Sequence, residues 1–146
     1  MAATCTVTQP ATTGRKGKIH QVKWSWKSHT DGSVAAVGSS NAISGFLRQV
    51  RFRETTAVSS AGSLPSSGYD VTLVDGDNFD WLMGLGANIP NSNADVKCLF
   101  NIVNSMGGMP QLSPYLDART LTPAITNAGN TKLGEIVLTV ENPAGK

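Results

Sequence analysis

Three aspartates, Asp75, Asp77 and Asp80, form the densest group of potential ligands in the chain. Alternate carboxylates on a glycine-containing loop are the ligands that calcium takes in an EF-hand. Here Phe79 stands at the fifth position and Gly86, followed by Ala87, at the twelfth, where a bidentate glutamate would close the site. A structural role in turns or helix caps accounts equally well for these aspartates, because their side chains accept hydrogen bonds from nearby backbone N–H groups. We therefore predict no metal and no cofactor.

Other catalytic patterns are weak. The two histidines, His20 and His29, have neither HxH nor HExxH spacing, and no GxSxG nucleophile elbow occurs. The members of a Ser-His-Asp site are distant in sequence, so spacing alone does not decide that case. Nothing singles out a carboxylate pair for glycoside cleavage, and the glycines form no nucleotide-binding loop. We predict that the chain is not an enzyme.

Cys5 and Cys98 are the only cysteines, and neither has the neighbours of a zinc site. Free thiols in a reducing compartment and a single Cys5–Cys98 link both fit this count. The N-terminus lacks the basic and apolar regions of a secretion signal, and no apolar run reaches the ~20 residues of a membrane helix. We expect synthesis and folding in a cytoplasm, with no membrane partner.

The net charge of +2 hides an asymmetry along the chain. Eight basic residues and only Asp31 precede Glu54, whereas nine acidic and four basic residues follow from Glu54 onward. Such a division favours contact between copies, or between the basic part and an acidic partner. The basic residues are dispersed and alternate with aromatic ones along strands, so the two kinds point to opposite faces. No nucleic-acid partner is therefore expected.

A strand over Tyr69–Val74, which ends at Asp75-Gly76, organises the elements. We predict a short helix directly after it, capped by Asn78 or Asp80. The apolar residues of this helix would plug the space between sheets, and they are Phe79, Trp81, Leu82 and Leu85.

Alternating or apolar patterns predict further strands, over 18–28, 43–53, 96–103, 120–126 and 132–141. Pro123 would require an edge or a bulge, and 127–131 reads as a hairpin turn. In the strand over 43–53, strict alternation places Phe46, Arg48, Val50 and Phe52 on one side. The other side is then basic, with Leu47, Gln49, Arg51 and Arg53. We predict a mainly β fold: an antiparallel, jelly-roll-like β-sandwich (17–146) with one short helix and an extended N-terminal arm (1–16).

Three stretches carry a resemblance to a known class of protein: Gly17-Lys-Ile-His-Gln-Val-Lys-Trp-Ser-Trp26, the Tyr69…Asp75-Gly strand and turn with Leu82-x-Gly-Leu-Gly-Ala-Asn88, and Leu121…Ile125-Thr-Asn-Ala-Gly-Asn-Thr-Lys-Leu-Gly134…Val137-Leu-Thr-Val140. Together they resemble small virion proteins of tailed bacteriophages, in particular capsid decoration (cement) proteins. The resemblance implies a β-rich subunit without catalytic residues, commonly a homotrimer. It would be made in the bacterial cytoplasm and would sit on the virion surface, clamping the major capsid protein.

Two sets of interface residues follow as hypotheses. The capsid-facing set is basic and comprises Arg15, Lys16, Lys18, Arg48, Arg51 and Arg53. The subunit-facing set is apolar or aromatic and comprises Trp81, Met106, Met109, Leu112 and Tyr115. Two alternatives stay open: a phage tail or baseplate protein, and a carbohydrate-binding sandwich that would need Trp24, Trp26 or Trp81 exposed as a stacking platform.

Overall fold

The computed structural model describes residues 2–9, 19–35, 37–53, 64–90, 96–99 and 114–142. Eight strands occur in these residues: β1 (Thr4–Thr8), β2 (Ile19–Lys27), β3 (Ile43–Arg53), β4 (Asp70–Val74), β5 (Val96–Leu99), β6 (Tyr115–Arg119), β7 (Thr122–Thr126) and β8 (Leu133–Glu141). Six of them form a large antiparallel sheet in the order β1-β2-β8-β3, and β5 and β6 share the remaining side of β3. The other two, β4 and β7, form a small antiparallel sheet. The predicted mainly β, antiparallel fold is confirmed.

Strands β2 and β8 form the centre of the large sheet because their apolar residues alternate. Val22, Trp24 and Trp26 of β2 are buried and pair in register with Leu138, Ile136 and Gly134 of β8. The indole N–H of Trp24 donates to the carbonyl of Gly38 at 2.9 Å, so the buried ring keeps its hydrogen bond. The predicted inward faces of both strands are confirmed.

The predicted facing of β3 is wrong at its first half. The pairing of β3 with β8 shifts register between Leu47 and Gln49, which marks a bulge at Arg48. The extra residue moves Leu47 to the inner side with Val50, whereas Phe46 turns to the outer side. The alternating pattern of the sequence could not predict this shift, because the bulge arises from the pairing of β3 with β8.

The small sheet covers the core from the opposite side. Val71 and Leu73 of β4 are buried, as are their partners Ile125 and Pro123 of β7. The buried apolar side chains of both sheets form one hydrophobic cluster. The segment 127–131, predicted as a hairpin turn, instead carries the chain from β7 in the small sheet to β8 in the large one.

Part of the predicted N-terminal arm belongs to the large sheet. Thr4–Thr8 pair with β2 along their whole length, from Thr4 opposite Lys27 to Thr8 opposite Lys23. Ala3, Cys5 and Val7 pack against the core. Among the described strands, β1 lies at one edge of the large sheet; residues 10–18 lie outside the described residues.

The short helix predicted after β4 is not formed, and none of the described residues is helical. Three tight turns occupy this stretch instead, with N–H to carbonyl bonds from Met83 to Asp80, from Leu85 to Leu82 and from Ala87 to Gly84. Met83 takes a left-handed backbone, with φ of 50°, and this conformation ends any helix at its first turn. The chain returns to β4 at Gly86, where a Cβ atom would lie only 2.0 Å from the carbonyl oxygen of Val71.

Candidate functional site

The segment 75–86, here called the aromatic turn, is held together by the Asp75 carboxylate. Its Oδ1 accepts the backbone N–H groups of Asp77 at 2.9 Å and Phe79 at 3.1 Å. Its Oδ2 accepts the indole N–H of Trp81 at 2.9 Å. The hydrogen bond from Trp81 is the main reason why the pKa of Asp75 lies below its ordinary value. The carboxylate therefore fixes both the backbone and the ring.

The other two aspartates also accept hydrogen bonds from other residues of the chain. Asp80 accepts N–H groups from Leu73 at 3.1 Å and Leu82 at 3.0 Å through one oxygen. Asp77 accepts a bond of 2.8 Å from Arg119 at the end of β6, and this bond is the main cause of the raised pKa of Arg119. No group of three or more potential metal ligands comes together within the described part of the chain.

Two large apolar side chains project from the aromatic turn into solvent. Phe79 is 51% exposed and Met83 is 46% exposed, whereas Leu82 between them is fully buried. The rings of Phe79 and Trp81 meet edge to face, with centroids 5.3 Å apart. The prediction that Phe79 belongs to the buried plug is therefore wrong, and that for Leu82 is confirmed. An exposed aromatic side chain braced in one position is suited to anchoring a protein interface.

The outer face of the large sheet is the second candidate surface. On strands β2, β3 and β8 this face carries five basic side chains and two glutamates: Lys23, Lys27, Arg48, Arg51 and Arg53 with Glu135 and Glu141. On these three strands the formal excess is three positive charges.

Internal ion pairs hold this basic face in place. Arg53 donates to Glu135 at 2.6 Å, and Lys23 lies 3.6 Å from the same carboxylate. Arg48 donates to Glu141 at 2.5 Å. Because the pairs join β3 and β2 to β8, they fix the positions of the basic groups across the sheet. Sequence reasoning found the arginines and missed these glutamate partners, which only the strand register brings opposite them.

A second aromatic pair borders the basic face. Phe46 and Tyr115 meet edge to face with centroids 5.0 Å apart, and the guanidinium of Arg48 lies 5.4 Å from the Phe46 ring. Tyr115 is 40% exposed. The sequence could not indicate this group, since Phe46 reaches the outer side only through the β3 bulge.

The remaining predicted interface residues fall into two classes. Trp81 lies in the aromatic turn, half-buried beneath Phe79. Six others lie outside the described residues: Arg15, Lys16, Lys18, Met106, Met109 and Leu112. Trp24 and Trp26 are 0% and 2% exposed, so neither can serve as a platform for stacking a sugar.

The cysteines and histidines stand apart from these surfaces. Cys5 and Cys98 are both free thiols, as the first of the two sequence alternatives predicted, and burial raises the pKa of Cys5 to about 11. Burial lowers the pKa of His20, whose Nε2 is buried without a hydrogen-bond partner. His29 lies in a turn, with its Nδ1 3.4 Å from an Asp31 carboxylate oxygen.

No helix in the described ranges has the length and apolar character needed to cross a membrane. Comparisons of the chain with protein-family models, with curated proteins and with solved structures find no match.

Proposed function

We propose that this chain is a non-enzymatic structural protein of a tailed-phage virion, and specifically a decoration protein that binds the outer surface of the head. The sequence resemblance motivates the class, and the surfaces described above supply the means of attachment. A jelly-roll-like sandwich is the corresponding proposal for the finer fold, supported by the single core that the two sheets share.

The observation that carries the proposal is the basic outer face of the large sheet. Its charged groups are spaced along three adjacent strands and held by ion pairs to Glu135 and Glu141. A rigid face with a positive excess fits a flat, acidic protein lattice, because complementary potentials steer association and select the register of docking. In this proposal the acidic partner is the major capsid protein.

The aromatic turn has a different role in the proposal. Phe79 and Met83 supply the exposed apolar area that contacts between subunits require, and Trp81 and Asp75 keep Phe79 in place. Tyr115 would contribute to the same kind of contact at β6. A homotrimer is the assembly that we propose, with the aromatic turn at the contacts between its subunits.

Stabilisation of the head then follows from mass action. A protein that binds only the assembled shell stabilises it by RT ln(1 + [L]/Kd) per site, about 2.7 kcal/mol when the free protein is at a hundred times its Kd. Many copies on one particle multiply this effect without any chemical step.

The test is fractionation of purified particles of the phage that encodes the chain. Heads and tails are separated on a gradient, and the chain is quantified by mass spectrometry in each fraction and in the cleared lysate. The proposal expects the chain in heads, in a fixed ratio to the major capsid protein. Recovery with tails would favour the tail or baseplate alternative, and recovery only in the lysate would refute a virion role.

A further inference from the structure

β1 lacks the charged residues, the proline and the bulge that keep many edge strands apart, and the segment of Gly38 packs against it at Cys5. β1 pairs with β2 in regular register without a bulge, and no described strand pairs with its other side. Its residues, Thr-Cys-Thr-Val-Thr, include no charge and no proline. Natural edge strands usually carry lysine, proline or a bulge that prevents pairing with another chain. An edge without them is a template for strand addition.

We propose that two copies of this chain pair through β1, antiparallel about a two-fold axis at Thr6. This arrangement joins the two large sheets into one. It is independent of capsid binding, since purified subunits alone suffice to form it.

The sequence of β1 is self-complementary in this register. Thr6 faces Thr6 of the second copy, Thr4 faces Thr8, and Cys5 faces Val7. The three threonines are exposed on the outer side, and Cys5 and Val7 lie on the half-buried inner side. The pairing therefore sets threonine against threonine on one face and apolar against apolar on the other, and both combinations favour cross-strand contact.

Electrostatics do not oppose the pairing. The nearest charges on the outer face of the neighbouring strand are Lys23 and Lys27, which lie opposite Thr8 and Thr4. In the proposed pair, Lys27 of one copy and Lys23 of the other are three strand spacings apart, about 14 Å. This separation exceeds the Debye length of about 8 Å at physiological ionic strength, so their repulsion is screened.

A two-fold contact through β1 is compatible with the proposed trimer. β1 and β6 lie on opposite sides of the β2-β8-β3 core of the large sheet, and Arg119 of β6 is tied to Asp77 of the aromatic turn. The two contacts therefore use different surfaces. In a lattice, the aromatic turn would join subunits within a trimer, and β1 would join neighbouring trimers.

Disulfide trapping tests the register. In the full chain carrying Cys5→Ala and Cys98→Ala, Thr6→Cys places two thiols on the axis. Opposed residues of antiparallel strands have Cα atoms about 4.5–5.5 Å apart, within the range that a disulfide spans. The matched control is Thr8→Cys in the same background, because Thr8 faces Thr4 and the two Thr8 positions lie too far apart to be bridged.

The expected result is a covalent dimer for Thr6→Cys under mild oxidation and little for Thr8→Cys, with both variants folded by circular dichroism. Sedimentation of the chain with its native cysteines gives a second readout. We expect a two-fold association step, resolved by its stoichiometry from the proposed trimer, that Thr6→Lys weakens at least tenfold, because two ammonium groups would then face each other. Equal trapping of both cysteine variants, or a two-fold association step that is absent or that Thr6→Lys leaves unchanged, would overturn the proposal.

Discussion

Gly134 of β8 lies beneath the indole of Trp26, and adding one methyl group there should disturb the core. A Cβ atom at this position would lie 2.4 Å from Cζ2 of Trp26, whereas ordinary van der Waals contact begins at 3.4 Å. Accommodating Gly134→Ala therefore requires a relative shift of about 1 Å. Trp26 is 2% exposed and its ring packs against Tyr69 at a centroid distance of 5.9 Å, so it has little room to move.

The expected cost follows from this geometry. Overpacking by one methyl group in a close-packed core destabilises by roughly 1–3 kcal/mol. Replacing glycine by alanine also restricts the unfolded chain, which returns about 0.4–1 kcal/mol where the native backbone tolerates alanine. We expect a net loss of about 1–2 kcal/mol and a lowering of the melting temperature by roughly 3–8 °C for a domain of this size.

Urea unfolding followed by tryptophan fluorescence measures this cost. Gly76→Ala is the matched control, because a Cβ atom there meets nothing within 4 Å. The control should be as stable as the parent chain or slightly more so. If Gly134→Ala unfolds at the same urea concentration as Gly76→Ala, Trp26 is not packed against β8 and the core described here is wrong.

Three further predictions concern the candidate surfaces. Phe79→Ser should lower the free energy of unfolding by about 1–3 kcal/mol, because the buried half of the ring and its contact with Trp81 are lost. It should also weaken particle binding by about 50- to 100-fold, because burying the exposed half of a ring of roughly 200 Å² supplies about 2.5 kcal/mol. Binding is measured by co-sedimentation of the chain with particles. The control is Val37→Ser, which alters an apolar side chain that is 39% exposed and lies outside the aromatic turn; it should bind normally. Equal weakening of binding in both variants would refute the role of Phe79 as an interface anchor. The pKa of Asp75 is lowered in the folded chain, so its contribution to stability is present above about pH 4 and is lost as the pH falls toward the folded pKa. An acid titration followed by tryptophan fluorescence should show a transition that Asp75→Asn abolishes. If the transition is unchanged in that variant, it does not come from Asp75. Glu135→Gln should destabilise the fold by about 1–2 kcal/mol in urea unfolding, because the half-buried Arg53 loses its charged partner; no loss would mean that the pair contributes nothing.

The centre of the large sheet was predictable because one physical signal determines it. Val22, Trp24 and Trp26 alternate with polar residues in β2, and Ile136, Leu138 and Val140 share one side of β8. Burial of that side is enough to fix both the strand and its facing. In β3 the same reasoning failed at Phe46, since the bulge at Arg48 depends on a partner strand distant in sequence. β6 was missed for a related reason: only Leu116 of its five residues is buried, and pairing with β3 supplies the rest of its stability.

The candidate site shows a limit of a different kind. Sequence reasoning took the apolar residues after β4 for a buried helix, but the Asp80 carboxylate accepts backbone N–H groups and competes with helix formation there. The resulting turns bury Leu82 and expose Phe79 and Met83. Hydrophobicity alone does not distinguish a core residue from an interface anchor on the surface, because the same apolar and aromatic residue types serve in both places.

Cryo-electron microscopy of intact heads of the encoding phage would show directly where the chain binds. We expect density for this chain on the outer head surface, with the basic face that includes Arg48 and Arg53 turned toward the major capsid protein and Phe79 buried between subunits. Heads that carry no such density, or subunits whose basic face points to solvent while Phe79 stays exposed, would contradict this expectation.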